Sequence, residues 1–131
     1  MRPATVQLSA PAHQQLLDHS QTAAPEECCG LLLRSHANPP LVYHTYVKLQ
    51  NAATNRTHTF QLEQHQLIDL VYRYPRSKWD ILFVHSHPSA PPVLSQADIQ
   101  GLALSSSLFS GLLIVSLQHG NEHPTYACYE V

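Results

Sequence analysis

The stretch Trp79-Asp80-Ile81-Leu82-Phe83-Val84-His85-Ser86-His87-Pro88 decides how this chain folds and where its chemistry lies. Trp79 to Val84 is nearly continuous, apolar and about as long as an ordinary strand, which is the pattern of a buried strand. Side chains alternate along a strand, so His85 and His87 emerge together on one side of its end and Ser86 on the other. Pro88 stops the ladder, and Ser89 to Pro92 carries the chain around. A helix is expected near Ser95, with Asp98 in its first turn. Ser95-Gln96-Ala97-Asp98 is by itself an ordinary helix start, a capping serine followed by an acid at the third helical position.

A His-x-His pair is weak evidence in a chain with ten histidines. Joined as H-x-H-P-x6-S-x-x-D directly after an apolar strand, the two halves specify a metal site. Two neutral imidazoles and a carboxylate suit the borderline character of zinc. Three protein ligands with a fourth position open describe a catalytic site, not a structural one closed by four. One zinc ion on His85, His87 and Asp98 is therefore expected. Zinc brings the pKa of its bound water from about 16 to about 7, making that water the nucleophile, and polarises an amide carbonyl.

This pattern resembles the JAMM metalloprotease signature of the JAB/MPN domain family. That signature has a further element, an upstream glutamate on another strand, commonly within Pro-x-Glu-x-Cys-Gly-Leu-Leu. Here the segment reads Pro25-Glu26-Glu27-Cys28-Cys29-Gly30-Leu31-Leu32, so the resemblance puts Glu27 in the catalytic place. The match covers almost the whole chain, because the order of elements also fits, and the core motif shows no departure. The resemblance implies one domain over residues 1–131, an α/β fold with a curved mixed sheet flanked by helices, similar in architecture to cytidine deaminases.

It further implies that Glu27 stands near the metal without binding it, as base toward water and then as acid toward the departing amine. Glu26 would point away, solvated or paired at the surface. Ser95 has two readings that can hold together: a donor to the tetrahedral oxyanion, or a helix cap only. The family includes eukaryotic deubiquitinases and smaller prokaryotic hydrolases acting on ubiquitin-like or sulfur-carrier proteins. This chain resembles the small kind, since the stretches corresponding to the deubiquitinase insertions look short. The implied function is a zinc-dependent peptidase or isopeptidase that cuts after the C-terminal Gly-Gly tail of such a partner, the tail lying extended beside an exposed strand. Two alternatives stand beside it: a phage-tail or cell-wall peptidase module, and a non-catalytic interaction scaffold, which the complete ligand set opposes.

A length of 131 residues suits one domain that buries roughly two thirds of its unfolded surface. Charged residues make up 12% of the chain, about half the usual quarter, and the net charge is −2. With no basic stripe, nucleic acid is not an expected partner. Low charge also favours docking by shape and backbone pairing over electrostatic steering. Cys28, Cys29 and Cys128 make neither a disulfide framework nor a C-x-x-C pair. Bridging neighbours would strain the backbone, so reduced, buried thiols packed in the core are expected. Met1 to Ala10 has no signal-peptide core, and the longest aliphatic run, Leu112 to Val115, is too short for a membrane. A cytoplasmic protein is the expectation.

Along the chain, Thr5 to Leu8 reads as a short strand and Ser9 as a cap, with Pro11 in the first turn of a helix. His13, Leu16, Leu17 and Ser20 share one face of that helix, which Ala23-Ala24-Pro25 ends. Glu27 to Arg34 reads as a strand, followed by a turn around Ala37 to Pro40. The returning strand alternates, with Leu41, Tyr43, Thr45, Val47 and Leu49 on one face and Val42, His44, Tyr46, Lys48 and Gln50 on the other. A hairpin with one buried face is expected there. Asn51 to Thr57 is a polar loop and His58 to Gln61 a short extended piece. Leu67, Leu70, Val71 and Tyr74 mark a second helix stopped by Pro75. The third helix, from about Ser95 to Ser105, is expected to bury Ile99, Leu102 and Ala103. Gly111 to Leu117 and Thr125 to Val131 close the chain as strands around His119-Gly120-Asn121. The eight histidines outside the motif have no ligand spacing. Strands and helices mixed without a strict βαβ rhythm argue for a layered α/β domain with a mixed sheet.

Overall fold

In a computed structural model, which describes residues 2–37, 42–102 and 108–130, six strands form one sheet. In chain order the elements are β1 (Arg2–Pro3), α1 (Ala10–Ala23), β2 (Cys29–Ser35), β3 (Thr45–Leu49), α2 (Gln64–Arg73), β4 (Trp79–His87), α3 (Gln96–Leu102), β5 (Gly111–Ser116) and β6 (Thr125–Glu130). The strand order is β1-β6-β5-β4-β2-β3. The β4–β5 pair is parallel and every other pair antiparallel, so the sheet is mixed, as expected.

The apolar run of the opening segment explains the place of β4. From Ile81 to His87 every residue is buried, and the strand lies between β2 and β5. Its alternate residues serve two cores. Leu82 and Val84 pack with Leu32, Leu113, Val115 and the α1 residues Ala12 and Leu16. Ile81 and Phe83 pack with Leu31, Leu33, Ile114, Phe60 and Leu70 of α2. Helices therefore cover both faces, and a strand buried on both faces has no polar side to alternate. The histidines continue the α2 face.

Ser9 caps α1, accepting from the Ala12 amide at 3.2 Å, and Pro11 sits in its first turn. The helix ends before Pro25, as the sequence predicts. Four expectations need correction. Thr5 to Leu8 is not a strand: the N-terminal pairing is Arg2–Pro3 on β6, and Leu8 makes an isolated bridge to Tyr43. Strand β2 begins at Cys29, because the Glu27 amide bonds to Arg56 O and the Cys28 amide to the Ser86 hydroxyl instead of joining a ladder. The returning strand has two buried faces. Tyr43 exchanges bonds with Gln7 and Ser9, which breaks the alternation, so Tyr43 and Tyr46 share the α1 core while Val47 and Leu49 join the other. Ile99 is 47% exposed, because the residue before it, Asp98, is turned inward and successive helical side chains diverge by about 100°. Leu41, Ala103 to Ser105, Val131, most of the Ala37–Pro40 turn and the Leu102 side chain lie outside the described residues.

Gly30 shows how tightly the motif segment packs. A Cβ at this position would collide with the ring and hydroxyl of Tyr46, which itself bonds to His19 on α1. Gly30→Ala is expected to destabilise the fold by about 1–3 kcal/mol through overpacking. Urea unfolding measures it, and an unchanged midpoint would show that Tyr46 moves aside freely.

Candidate metal centre

The end of β4 carries the two histidines of the motif. His85 lies opposite Cys29 on β2 and beside Ile114 on β5, and its ring packs against Phe60 with centroids 4.8 Å apart. Ser86 points to the other face, where its hydroxyl accepts the Cys28 amide at 2.8 Å. That bond fastens the segment holding Glu27 to the histidine strand just before β2 begins. After Pro88 the turn is fastened to β5: the Ser116 hydroxyl donates to Ala90 O at 2.5 Å, and the Leu117 amide to His87 O at 3.0 Å. The chain then enters α3 through a reciprocal cap. Ser95 N–H donates to Asp98 Oδ2 at 2.8 Å, and Asp98 N–H donates to Ser95 Oγ at 3.1 Å.

These elements bring Glu27, His85, His87 and Asp98 together, with one ligand atom of each within 4.8 Å of the others and all four buried. The Nε2 atoms of His85 and His87 are 3.1 Å apart. Asp98 Oδ1 lies 2.8 Å from the first and Oδ2 3.2 Å from the second. His87 Nδ1 is 2.8 Å from Pro91 O, an acceptor only, so Nδ1 carries a proton and Nε2 is the atom turned toward Asp98, available as a ligand once it is unprotonated. Two imidazole nitrogens and a carboxylate converging in a buried space match the donor set of a divalent cation. Glu27 Oε1 fits the same picture, buried and without a hydrogen-bond partner among the described residues.

The four groups divide electrostatically. Burial pushes Glu27 up to about 7; the His87 charge opposes the shift and the Asp98 charge adds to it. Burial acts on Asp98 in the same direction, but hydrogen bonds from His85 and His87 override it and hold that carboxyl well below its usual range. Burial lowers His85, and the attraction of Asp98 does not restore it. Burial acts to lower His87 too, yet the bonds to Asp98 and Pro91 raise it on balance.

A cavity of about 150 Å³ opens beside the cluster, lined by Glu27, His58, His87, Pro88, Ala90 and Ser95. Ser95 thus caps the helix with its oxygen while standing at the cavity wall. A larger cavity of about 470 Å³, between the N-terminal segment and β6, touches none of the four residues. Glu26 pairs with Arg56 at 3.2 Å in partial exposure. Cys28 and Cys29 are buried thiols whose pKa burial raises, the opposite of an activated nucleophile. His13, His19, His36 and His44 bond to Tyr126, Tyr46, Asp80 and Thr45. The supporting residues Ser86, Pro91 and Ser116 escape sequence reasoning; for Ser86 the available signal is a hydroxyl set between two same-facing histidines.

The raised Glu27 value has a stability consequence. A folded-state pKa of about 7 against an ordinary 4.5 gives stability that is fully present below 4.5 and lost as pH rises through 7. In chelated, metal-free protein, Glu27→Gln should match the parent near pH 4 and exceed its stability near pH 8 by about 1–2 kcal/mol, after discount for solvent at the cavity mouth. Urea unfolding at both pH values checks it; equal gaps at the two would contradict a raised Glu27.

The family model for prokaryotic homologs of the JAB domain matches residues 9–127. Among proteins of curated function, none matches. Among solved structures, the chain is similar to a Desulfitobacterium hafniense protein determined in solution, with TM-score 0.74 and 23% identity over 97% of this chain and 84% of that one. It is also similar to a JAB1/MPN domain protein from Archaeoglobus fulgidus, with TM-score 0.57 and 18% identity over 95% and 89% of the two chains. Both likenesses are of fold. With the family model spanning nearly the whole chain and the four-residue cluster standing where the motif predicts, this chain belongs to the prokaryotic JAB domain family.

Proposed function

We propose that this chain is a zinc-dependent peptidase or isopeptidase that hydrolyses the amide bond after the C-terminal Gly-Gly tail of a ubiquitin-like or sulfur-carrier protein. The observation that carries the reading is Glu27: a buried carboxylate with an unpartnered oxygen, within 4.8 Å of two imidazoles and a second carboxylate. His85, His87 and Asp98 would hold the ion. Zinc bound there supplies Lewis acidity toward water and toward the amide carbonyl.

The protein supplies the rest. Glu27, with a pKa near 7, can take a proton at its carboxylate and return it to the departing amine at neutral pH. Asp98 and Glu27 are both carboxylates, yet their environments drive them apart, which suits one to bind a cation and the other to carry a proton. The Ser95 oxygen accepts from Asp98 N–H, so its own proton is free to donate to a developing oxyanion at the cavity wall. Pro88, Ser89 and Ala90 leave a cavity of about 150 Å³, room for glycines in an extended tail. Free cysteines at 28, 29 and 128 fit a reducing cytoplasm. No helix among the described residues is long and apolar enough to cross a membrane.

The test is a ubiquitin-like protein fused to a peptide after Gly-Gly, beside the same fusion with the last glycine changed to valine. Mass spectrometry should show cutting after the second glycine in the first alone, abolished by a chelator and restored by zinc. Glu27→Gln should keep its metal and lose about 10²–10⁴-fold in rate. Ser95→Ala should lose up to about 10²–10³-fold, if its proton serves the oxyanion. Equal cutting of both fusions would point to a general or cell-wall peptidase, and no cutting with zinc bound to a scaffold.

A further inference from the structure

Glu27 lies beyond the start of β2, so no sheet ladder holds it. Its main chain is gripped instead by the loop that follows β3. The Glu27 amide donates to Arg56 O at 2.6 Å. The Glu27 carbonyl accepts from Asn51 Nδ2 at 2.9 Å. The other contacts of Asn51 close the loop on itself: Nδ2 also donates to Thr59 O at 3.0 Å, while Oδ1 accepts from the Ala53 and Gln61 amides, each at 3.1 Å. The amide orientation follows from this network, because two carbonyls face one end of the side chain and two N–H groups the other. The half-buried Asn51 has all four interactions satisfied.

We infer that Asn51 is a positioning residue for the Glu27 carboxylate. The Glu27 carboxylate oxygen Oε1 has no hydrogen-bond partner among the described residues, so the aim of the side chain depends on where its main chain is held. Ser86 fastens Cys28 from one side through the Cys28 amide, and Asn51 fastens Glu27 from the other through its carbonyl. Asparagine suits the task on chemical grounds. Aspartate would keep both acceptors but lose both donors and set a negative charge against two carbonyls, and serine has neither the reach nor the second donor. Among the described residues the Asn51 side chain bonds to Glu27, Thr59, Ala53 and Gln61 and to none of His85, His87 and Asp98, so it acts on the proton carrier and not on the metal ligands. The assignment rests on the reading of Glu27 as general base.

Asn51→Asp keeps the size of the side chain; Asn51→Ala removes every bond. Both are compared with the parent and with Glu27→Gln on the Gly-Gly fusion, with metal content and amide hydrogen exchange measured in parallel. Misplacement of the base by about 1 Å is expected to lower kcat on the order of 10²-fold, with KM within about twofold and bound metal unchanged. In the Glu27→Gln background the same substitutions should cause no further fall, since a residue that acts only through Glu27 has nothing left to position. Exchange at the Glu27 amide should quicken while β2 and β4 amides stay protected. A further fall in the Glu27→Gln background would make Asn51 a general structural residue and overturn the proposal. Unchanged Glu27 amide protection in both variants would overturn it whatever the activity. A fully active Glu27→Gln would instead defeat the general-base reading; an inactive Glu27→Gln beside a fully active Asn51→Asp would defeat the role of Asn51 alone.

Discussion

Two imidazole nitrogens 3.1 Å apart share a nearly dry space with a carboxylate, and much of the surrounding fold serves to hold them there. Asp98 accepts from both rings, yet His85 Nδ1 and Glu27 Oε1 stay buried without partners among the described residues, and an unpaired buried polar group costs about 1–3 kcal/mol. The platform that tolerates this is β4. Ile81, Leu82, Phe83 and Val84 are almost fully buried, each contributing about 1.5–3 kcal/mol. That margin exceeds the cost of the polar cluster continuing the same strand.

The parallel pairing of β4 and β5 determines what can stand above the histidines. Antiparallel neighbours can be joined by a tight turn, but parallel ones require a crossover. Here the crossover holds α3, whose first turn carries Asp98 over the C-terminal end of β4. Ligands in open α/β sheets gather outside the carboxyl ends of strands for the same reason, since crossovers leave their loops there. Ser116 on β5 fastens the turn to the sheet, so Asp98 is positioned by contacts that cross three elements.

The two carboxylates of the cluster illustrate how position overrides residue type. Both are desolvated, which alone would raise each of them. Asp98 accepts from both histidines and from the Ser95 amide and ends well below its usual range, whereas Glu27 meets no donor at Oε1 and ends near 7. The difference is one of hydrogen-bond supply, and it supports the division of labour proposed between a ligand and a proton carrier.

From sequence alone the central strand, the same-side emergence of His85 and His87, the helix start at Ser95 and the membership suggested by the Glu27 segment were all legible. Each rests on local rules: alternation along a strand, capping chemistry, and the continuous apolar run of a doubly buried strand. Where the reading failed, distant partners decided the outcome. Tyr43 left its expected face because Gln7 and Ser9 bond to its backbone, and Ile99 faces solvent because Asp98 is drawn to the histidines. Glu27 itself belongs to no strand, and what holds it, Asn51 and Arg56 from a loop more than twenty residues on, leaves no periodic signal in the sequence. Local propensity can place a histidine at the end of a strand. Only the packed structure determines which groups across the chain hold the neighbouring glutamate, because those bonds form between segments that the fold alone brings together.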